Sequence, residues 1–313
     1  MKKIVLLTKL SREEKEEIKR IAPDYQLIEK IEKKDLSKTE IVFGWNQNLE
    51  ESIAKEESGI QWIQYPYAGV NHLPLDLLDE KNIQLTSGSG TNAHAVAEAA
   101  IAMLLGLTRN IIRSSKQQET KEWIRPEKGY ELKGKTILIV GAGNIGERIA
   151  AIAQAFLMKT IGINRSGRKI NYMDEQYRQN DLAEIMNQAD IVVNILPATK
   201  ETYHLFDAQL FSKMKEGTIF INVGRGETVV TEDLLDALNE NKIARAALDV
   251  FEEEPLAKDH PLWEHENVLI TPHIAGQVER QLDYIYPIFI ENLQAYLKNG
   301  ELPVNFVELK EGY

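Results

Sequence analysis

Short runs of β-branched and apolar residues recur along the first 90 positions, KIVLLT, QLIE, EIVFG, IQWIQY and IQLTS, with stretches of helical periodicity between them. That alternation predicts parallel βα units, because joining two parallel strands needs a crossover and a helix usually supplies it. The charged stretch SREEKEEIKR fits one such helix. Ser11 and Glu14 have capping-box spacing, Ile18 and Ile21 continue an apolar stripe, and the charges make a solvated face. Ala93 to Leu107 is the longest apolar stretch. His94 and Glu98 interrupt it, and it falls well short of the roughly 20 residues of a membrane span, so a packed helix is expected. After a polar segment, Ser114 to Lys133, come TILIV, TIGIN, DIVVNI, TIFINV, RAALDV and NVLIT, starting at Thr136, Thr160, Asp190, Thr218, Arg245 and Asn267. Most are continuously apolar, as strands covered on both faces are. Segments of crossover length separate them, which predicts a doubly wound sheet of about six strands, bounded near Gly90 and Gly276.

Composition narrows the function. A length of 313 residues suggests roughly two domains. With 48 acidic against 37 basic side chains the formal charge is −11. That argues against broad nucleic-acid or anionic-membrane binding, which needs basic surface, and leaves room only for a local basic pocket. The chain has no cysteine, so disulfides, thiolate catalysis and Cys-ligated metals do not apply; a reducing cytoplasm fits. The opening MKKIVLLTKL has an apolar run of about five residues, too short for a signal peptide and suited to a first buried strand. His72, His94, His204, His260 and His265 show no metal-ligand spacing, so no metal is expected. Nucleophile elbow and Walker loop are both missing, and the aromatic residues lack the basic interleaving of a single-strand platform.

The strand TILIV runs straight into GAGNIGERIAAIAQAF, which places Gly141, Gly143 and Gly146 as GxGxxG at a strand-to-helix turn. The first glycine permits the tight turn, the second lets backbone approach a pyrophosphate, and the third lets helix pack on strand. With Asn144 and Ile145 these residues open a helix whose N-terminus suits phosphate. In the NAD-preferring form of this motif an acid about 20 residues on bonds the ribose 2′-hydroxyl. Here the second strand ends in Asn164, Arg165, Ser166 and, two residues later, Arg168, with no carboxylate. An acid would repel a 2′-phosphate, whereas two guanidinium groups and a hydroxyl would hold one. NADP(H) is therefore the expected cofactor, with NAD(H) bound less selectively as the alternative.

Open α/β sheets bind ligands at the carboxyl ends of their strands. After TIFINV comes Arg225, after RAALDV comes FEEEP with Glu254, and after NVLIT comes His273. Each has an ordinary explanation: a surface ion pair, a solvated turn, a satisfied loop histidine. Jointly they match hydride transfer to a 2-keto acid. Arg clamps the carboxylate, His donates a proton to the oxygen that gains charge, and a neighbouring Glu favours the charged imidazole and fixes its orientation.

At this point the chain resembles the D-isomer-specific 2-hydroxyacid dehydrogenases. The matching stretches are YAGVN from Tyr67, HAVAEAAIAMLL from His94, GAGNIG, ILPATKETYHLF from Ile195, INVGRG from Ile221, ALDVFEEEP from Ala247 and TPHIAG from Thr271. They come in family order over most of the chain. The resemblance implies Arg225 as substrate clamp and carbonyl polariser, His273 as acid/base and Glu254 as its partner. It implies backbone N–H groups around Ala68, Gly69 and Val70, in the loop opened by Tyr67, as the carboxylate site. Further cofactor contacts are implied at Leu196, Pro197, Thr202, Val223, Gly224, Asp249 and Gly276, with Asp249 meeting the nicotinamide carboxamide. The missing acid departs from the NAD-using pattern, and GINRSGR looks like the NADPH-using glyoxylate/hydroxypyruvate reductases. The implied architecture is α/β with two domains: a doubly wound Rossmann cofactor domain, residues 92–283, inserted into a flavodoxin-like substrate domain, residues 1–91 and 284–313. A homodimer through the cofactor domain is also implied, with the helix from Asn92 and the arm to Trp123 as its contact region.

The expectation is thus a cytoplasmic NADPH-dependent 2-keto acid reductase that acts on a small substrate, with neither nucleic acid nor membrane as partner. Two alternatives remain. One is a dinucleotide-sensing corepressor of the same fold, some of which keep all three side chains. The other is a formate or phosphonate dehydrogenase, against which stands Glu254, a position where formate dehydrogenases carry Gln.

Overall fold

The computed structural model describes residues 1–55, 58–70, 72–125 and 129–310; Asn71 of the YAGVN stretch and the last three residues lie outside them. The chain divides into two units, one of Met1–Asn92 plus the chain from Val278 onward, the other of Ala93–Gln277.

In the first unit, β1 (Lys2–Leu6), β2 (Tyr25–Ile28), β3 (Thr39–Phe43), β4 (Trp62–Gln64) and β5 (Gln84–Thr86) form a parallel sheet in the order β2-β1-β3-β4-β5. The helix Arg12–Ile21 starts as its sequence predicts. Ser11 Oγ accepts from Glu14 N at 3.2 Å while Glu14 returns a carboxylate oxygen to Ser11 N at 2.6 Å, and Ile18 is buried. One core layer comes from far along the chain. The helix Gln281–Asn299 lays Phe289 on Phe43 at 4.4 Å and on Trp62 at 5.4 Å, a stack that buries large apolar area in a fixed geometry. Buried Asn292 on the same helix donates to the Val304 carbonyl at 2.9 Å and so is not left unsatisfied.

In the second unit, β6 (Thr136–Val140), β7 (Lys159–Asn164), β8 (Glu175–Arg178), β9 (Ile191–Asn194), β10 (Thr218–Asn222), β11 (Ile243–Leu248) and β12 (Val268–Ile270) form a parallel sheet in the order β12-β11-β10-β9-β6-β7-β8. Both faces are covered. The helix Ala93–Thr108 packs Val96, Ala100 and Leu104 against Ile137, Ile139 and Ile221, and a second layer groups Phe206, Phe211 and Phe220 on the other side. The sheet has seven strands where the apolar pattern announced about six. The extra strand, β8, reads EQYR and is at most half-buried; an edge strand with a single neighbour needs no apolar run. β7 lies to one side of β6 and β9 to the other, so the strand order reverses at β6 and opens a crevice at its carboxyl end. Among the described residues no single helix is long and apolar enough to cross a membrane.

Candidate active site

The turn after β6 is shaped by contacts that leave no room for side chains. Gly141 has φ +97°, and a Cβ there would lie 3.0 Å from the backbone of Ile195 and Leu196. A Cβ at Gly146 would press on Ile139 at 3.1 Å, the close helix-to-strand approach expected of the third glycine. Gly143 differs: a Cβ there would meet nothing nearer than 3.9 Å, so it faces open space. It is also the N-cap of the helix Asn144–Ala155, and no side chain caps that end. Uncapped N–H groups of Asn144 and Ile145 below an open glycine suit the pyrophosphate of a dinucleotide.

The same close approaches join the next loops along the sheet edge. A Cβ at Gly224, after β10, would lie 2.7 Å from the Leu196 carbonyl, and one at Gly226 would fall on the Phe251 carbonyl after β11. Backbone thus runs in contact from the phosphate turn through Leu196 and the Val223–Gly224 pair to the loop that carries Glu254. Thr202 is buried and folds its own loop, donating to the Pro197 carbonyl at 2.6 Å. The basic turn after β7 is preformed as well: Asn164 Nδ2 donates to the Arg168 carbonyl at 2.9 Å and, at 3.4 Å, to that of Ala142 in the phosphate turn. Arg168 N donates to Ser166 Oγ at 3.3 Å, and Arg165, Ser166 and Arg168 are exposed.

At the other end, His273 Nδ1 lies 2.7 Å from Glu254 Oε2, with the two side chains 49% and 34% exposed. Glu254 Oε1 accepts from Phe251 N at 3.0 Å, so the carboxylate is anchored to its own loop. His273 sits at φ +53°, a left-handed conformation uncommon for a residue with a Cβ. Asp249 holds it there. The Asp249 carbonyl accepts from His273 N at 2.8 Å, and its carboxylate takes Thr271 Oγ1 at 2.6 Å and the N–H groups of Ile274 and Ala275 at 2.9 Å each. Asp249 is 1% exposed, and what the structure shows of it is this staple beneath the His273 loop, which ends at Gly276. Arg225 follows β10, the neighbour of β11 in the sheet, and its guanidinium donates to the Gly224 carbonyl at 2.8 Å.

Two features escaped the sequence reading. Asn194 and Asn222 are opposite each other in register at the ends of β9 and β10, fully buried. Asn194 Nδ2 donates to Asn222 Oδ1 at 3.0 Å and to Thr228 Oγ1 at 2.7 Å, and the Thr228 hydroxyl donates to the Arg225 carbonyl at 2.6 Å. This network fixes the backbone from which Arg225 projects. Its signal was present: one polar residue at the same place in two otherwise apolar strands. The second feature is a further histidine–carboxylate pair, His204 Nε2 to Glu252 Oε1 at 2.7 Å. Burial alone would raise the Glu252 carboxyl, but bonds from Thr231 and His204 outweigh it and hold it below the usual range.

In the first unit, Tyr67 is exposed and its ring meets that of Tyr65 edge-on at 5.6 Å. Burial and then Tyr67 push the Tyr65 hydroxyl up to about 12, and His72 Nε2 lies 2.9 Å from it. Among the described residues, the N–H groups of Ala68, Gly69 and Val70 meet no backbone carbonyl, which leaves them as donors.

Residues 101–275 match the family model described as D-isomer specific 2-hydroxyacid dehydrogenase, NAD binding domain, which is more than half of the chain. The chain belongs to the D-isomer-specific 2-hydroxyacid dehydrogenase family. Similar relatives include a glyoxylate reductase of Thermofilum pendens, 37% identical over 75% of this chain and 71% of that protein. A glyoxylate reductase of Pyrococcus furiosus is 30% identical over 93% of this chain and 87% of that one. Among solved structures, a D-isomer specific 2-hydroxyacid dehydrogenase family protein of Aeromonas salmonicida superposes with TM-score 0.84 at 33% identity, covering 98% of this chain and 99% of the other. The NADPH-dependent glyoxylate/hydroxypyruvate reductase of Sinorhizobium meliloti, solved with NADP and sulfate, gives 0.80 at 26% identity with both chains fully covered. This 2-hydroxyacid dehydrogenase is accordingly an NAD(P)-dependent oxidoreductase, and its uncapped helix end and open Gly143 fit the cofactor.

Proposed function

We propose that the enzyme is an NADPH-dependent reductase of small 2-keto acids that forms D-2-hydroxy acids, with glyoxylate and hydroxypyruvate as the substrate class. The observation that carries this reading is the half-exposed His273–Glu254 pair, joined through Nδ1 and standing after β12 and β11, where the adjacent strand β10 leads into Arg225. Glu254 accepts at Nδ1 and so fixes ring and tautomer, which leaves Nε2 to give a proton to the carbonyl oxygen of the substrate. Arg225 clamps the substrate carboxylate and polarises the carbonyl, where a planar, permanently charged fork is worth more than an ammonium. The Ala68, Gly69 and Val70 amides add a carboxylate site, supported by their having no backbone partner among the described residues. The bound dinucleotide supplies the hydride. In the reverse direction neutral His273 accepts the proton from the hydroxy acid.

The NADPH preference is supported by Arg165, Ser166 and Arg168 in a preformed, exposed turn whose sequence holds no carboxylate from Asn164 to Arg168, and by the NADP bound to the Sinorhizobium meliloti relative. A cytoplasmic homodimer through the nucleotide-binding unit completes the proposal. Ile111, Trp123 and Ile124 support it, being 58%, 89% and 53% exposed along the arm after the helix Ala93–Thr108. The test follows NADPH and NADH oxidation separately against glyoxylate, hydroxypyruvate, pyruvate and branched 2-oxo acids. Turnover of glyoxylate and hydroxypyruvate with a clear preference for NADPH is expected; equal efficiency with both cofactors would remove the role given to the basic turn.

A further inference from the structure

We infer, given the NADPH preference proposed above, that Arg178 is a third cation of the 2′-phosphate site, delivered from the edge strand β8. Nothing in the local sequence joins it to the turn. It comes ten positions after Arg168, in a polar stretch without strand periodicity. The sheet makes the connection. β8 pairs in parallel with β7, and Arg178 stands opposite Asn164 in register. Registered residues on neighbouring strands leave the same face of a sheet. The Asn164 side chain reaches the carbonyls of Ala142 and Arg168, so that face is the one bearing the phosphate turn and the basic turn.

Gly167 shows where the Arg178 side chain goes. It has φ +71°, and a Cβ built on it would lie 2.8 Å from Arg178 Cγ and 3.4 Å from Arg178 Nε. The aliphatic stem of Arg178 therefore packs across the turn, and its guanidinium emerges beside the backbone between Ser166 and Arg168. Position 167 must stay without a side chain on two counts, its left-handed conformation and the arginine lying over it. Arg165, Arg168, Lys169 and Arg178 then share one exposed patch of a chain whose formal charge is −11. Two acids stand near. Asp181 Oδ2 accepts from Arg178 N at 3.0 Å, and Glu201, held low by its own and Thr199's hydrogen bonds, also feels the charges of Lys200 and Arg165. Among the described residues the Arg178 guanidinium makes no ion pair with either of them. A planar cation beside a preformed anion turn suits a dianionic phosphate and gains little from a neutral 2′-hydroxyl, so it acts on the choice between cofactors rather than on binding in general.

The test is calorimetric titration of the intact protein with adenosine 2′,5′-bisphosphate and with 5′-AMP, for wild type, R178Q, R178K and R165Q, each checked for an unchanged melting temperature. Wild type should bind the bisphosphate more tightly. R178Q should lose about tenfold in that affinity with little change for 5′-AMP, and R178K should recover part of the loss, as one charge-assisted contact implies. If R178Q binds the bisphosphate as wild type does while R165Q is weakened, Arg178 is outside the site and the cofactor preference stands. Equal losses for both ligands would make Arg178 a support of the turn and also overturn the inference. A wild type that does not distinguish the two ligands would instead defeat the NADPH preference itself, and this inference with it.

Discussion

Two histidine–carboxylate pairs occupy the same edge of the nucleotide-binding sheet, each closed at 2.7 Å, and the ring nitrogen used and the surroundings tell them apart. In the first, His273 is half exposed at a left-handed backbone position, the other oxygen of Glu254 is tied to the Phe251 N–H of its own loop, and among the described residues His273 Nε2 makes no hydrogen bond. In the second, the His204 ring stacks on Tyr203 at 3.8 Å, and Glu252 is drawn to the Thr231 N–H at 2.6 Å, at the start of the helix Thr231–Asn239. Its partners knit three loops together. The pairing distance therefore does not mark a catalytic dyad by itself; what separates the pairs is which ring nitrogen the carboxylate takes and whether the ring is covered.

Substitutions that separate the two pairs sharpen this contrast. Apart from the two histidines themselves, the largest effect is expected at Arg225, whose loss from the proposed clamp should lower kcat/KM for 2-keto acids by about a hundredfold, the loss of a charge-assisted bidentate contact, with R225K recovering little. Steady-state kinetics that found R225K near wild type would show that a point charge suffices. E254Q should come next, lowering kcat by about tenfold to a hundredfold because the ring loses its fixed tautomer, while E252Q should leave kcat within about twofold. Similar losses in both would merge the pairs into one functional unit. T228V removes the hydroxyl that holds the Arg225 carbonyl and should cost about 1–2 kcal/mol in denaturant unfolding, together with a rise in KM for the keto acid. The smallest effect concerns acid stability. Glu252 is held below its usual range in the folded state, so its contribution is present above the unfolded carboxyl value and is lost as pH falls through about 4 and below. In E252Q the unfolding free energy should fall less steeply across that window; an unchanged slope would show that the pair contributes nothing to stability.

How much of this the sequence disclosed depends on the range of the interaction. The Ser11–Glu14 cap is local and was legible residue by residue. The buried parallel strands and the glycine turn were legible because burial on both faces and a phosphate site each impose a composition. β8 was not, since an edge strand can be polar, and with it Arg178 was hidden beside the turn it covers. The sheet on which the helix Gln281–Asn299 packs could not be read from periodicity, which shows an apolar face without naming the partner; only the family resemblance placed that helix with the first 91 residues. His204 and Glu252 are 48 positions apart and carried no pairing signal. Asp249 was singled out for a cofactor contact that the family resemblance implied, and its three protein donors could be seen only once the His273 loop had a shape.

The contrast between the pairs is tested most directly by single-turnover oxidation of bound NADPH with saturating glyoxylate, in H273A and H204A, with cofactor affinity measured in parallel by fluorescence. H273A should lose about a thousandfold in rate and bind NADPH within about twofold of wild type, while H204A keeps most of its rate. Turnover persisting in H273A, or an equal loss in H204A, would contradict the assignment of proton transfer to the His273–Glu254 pair.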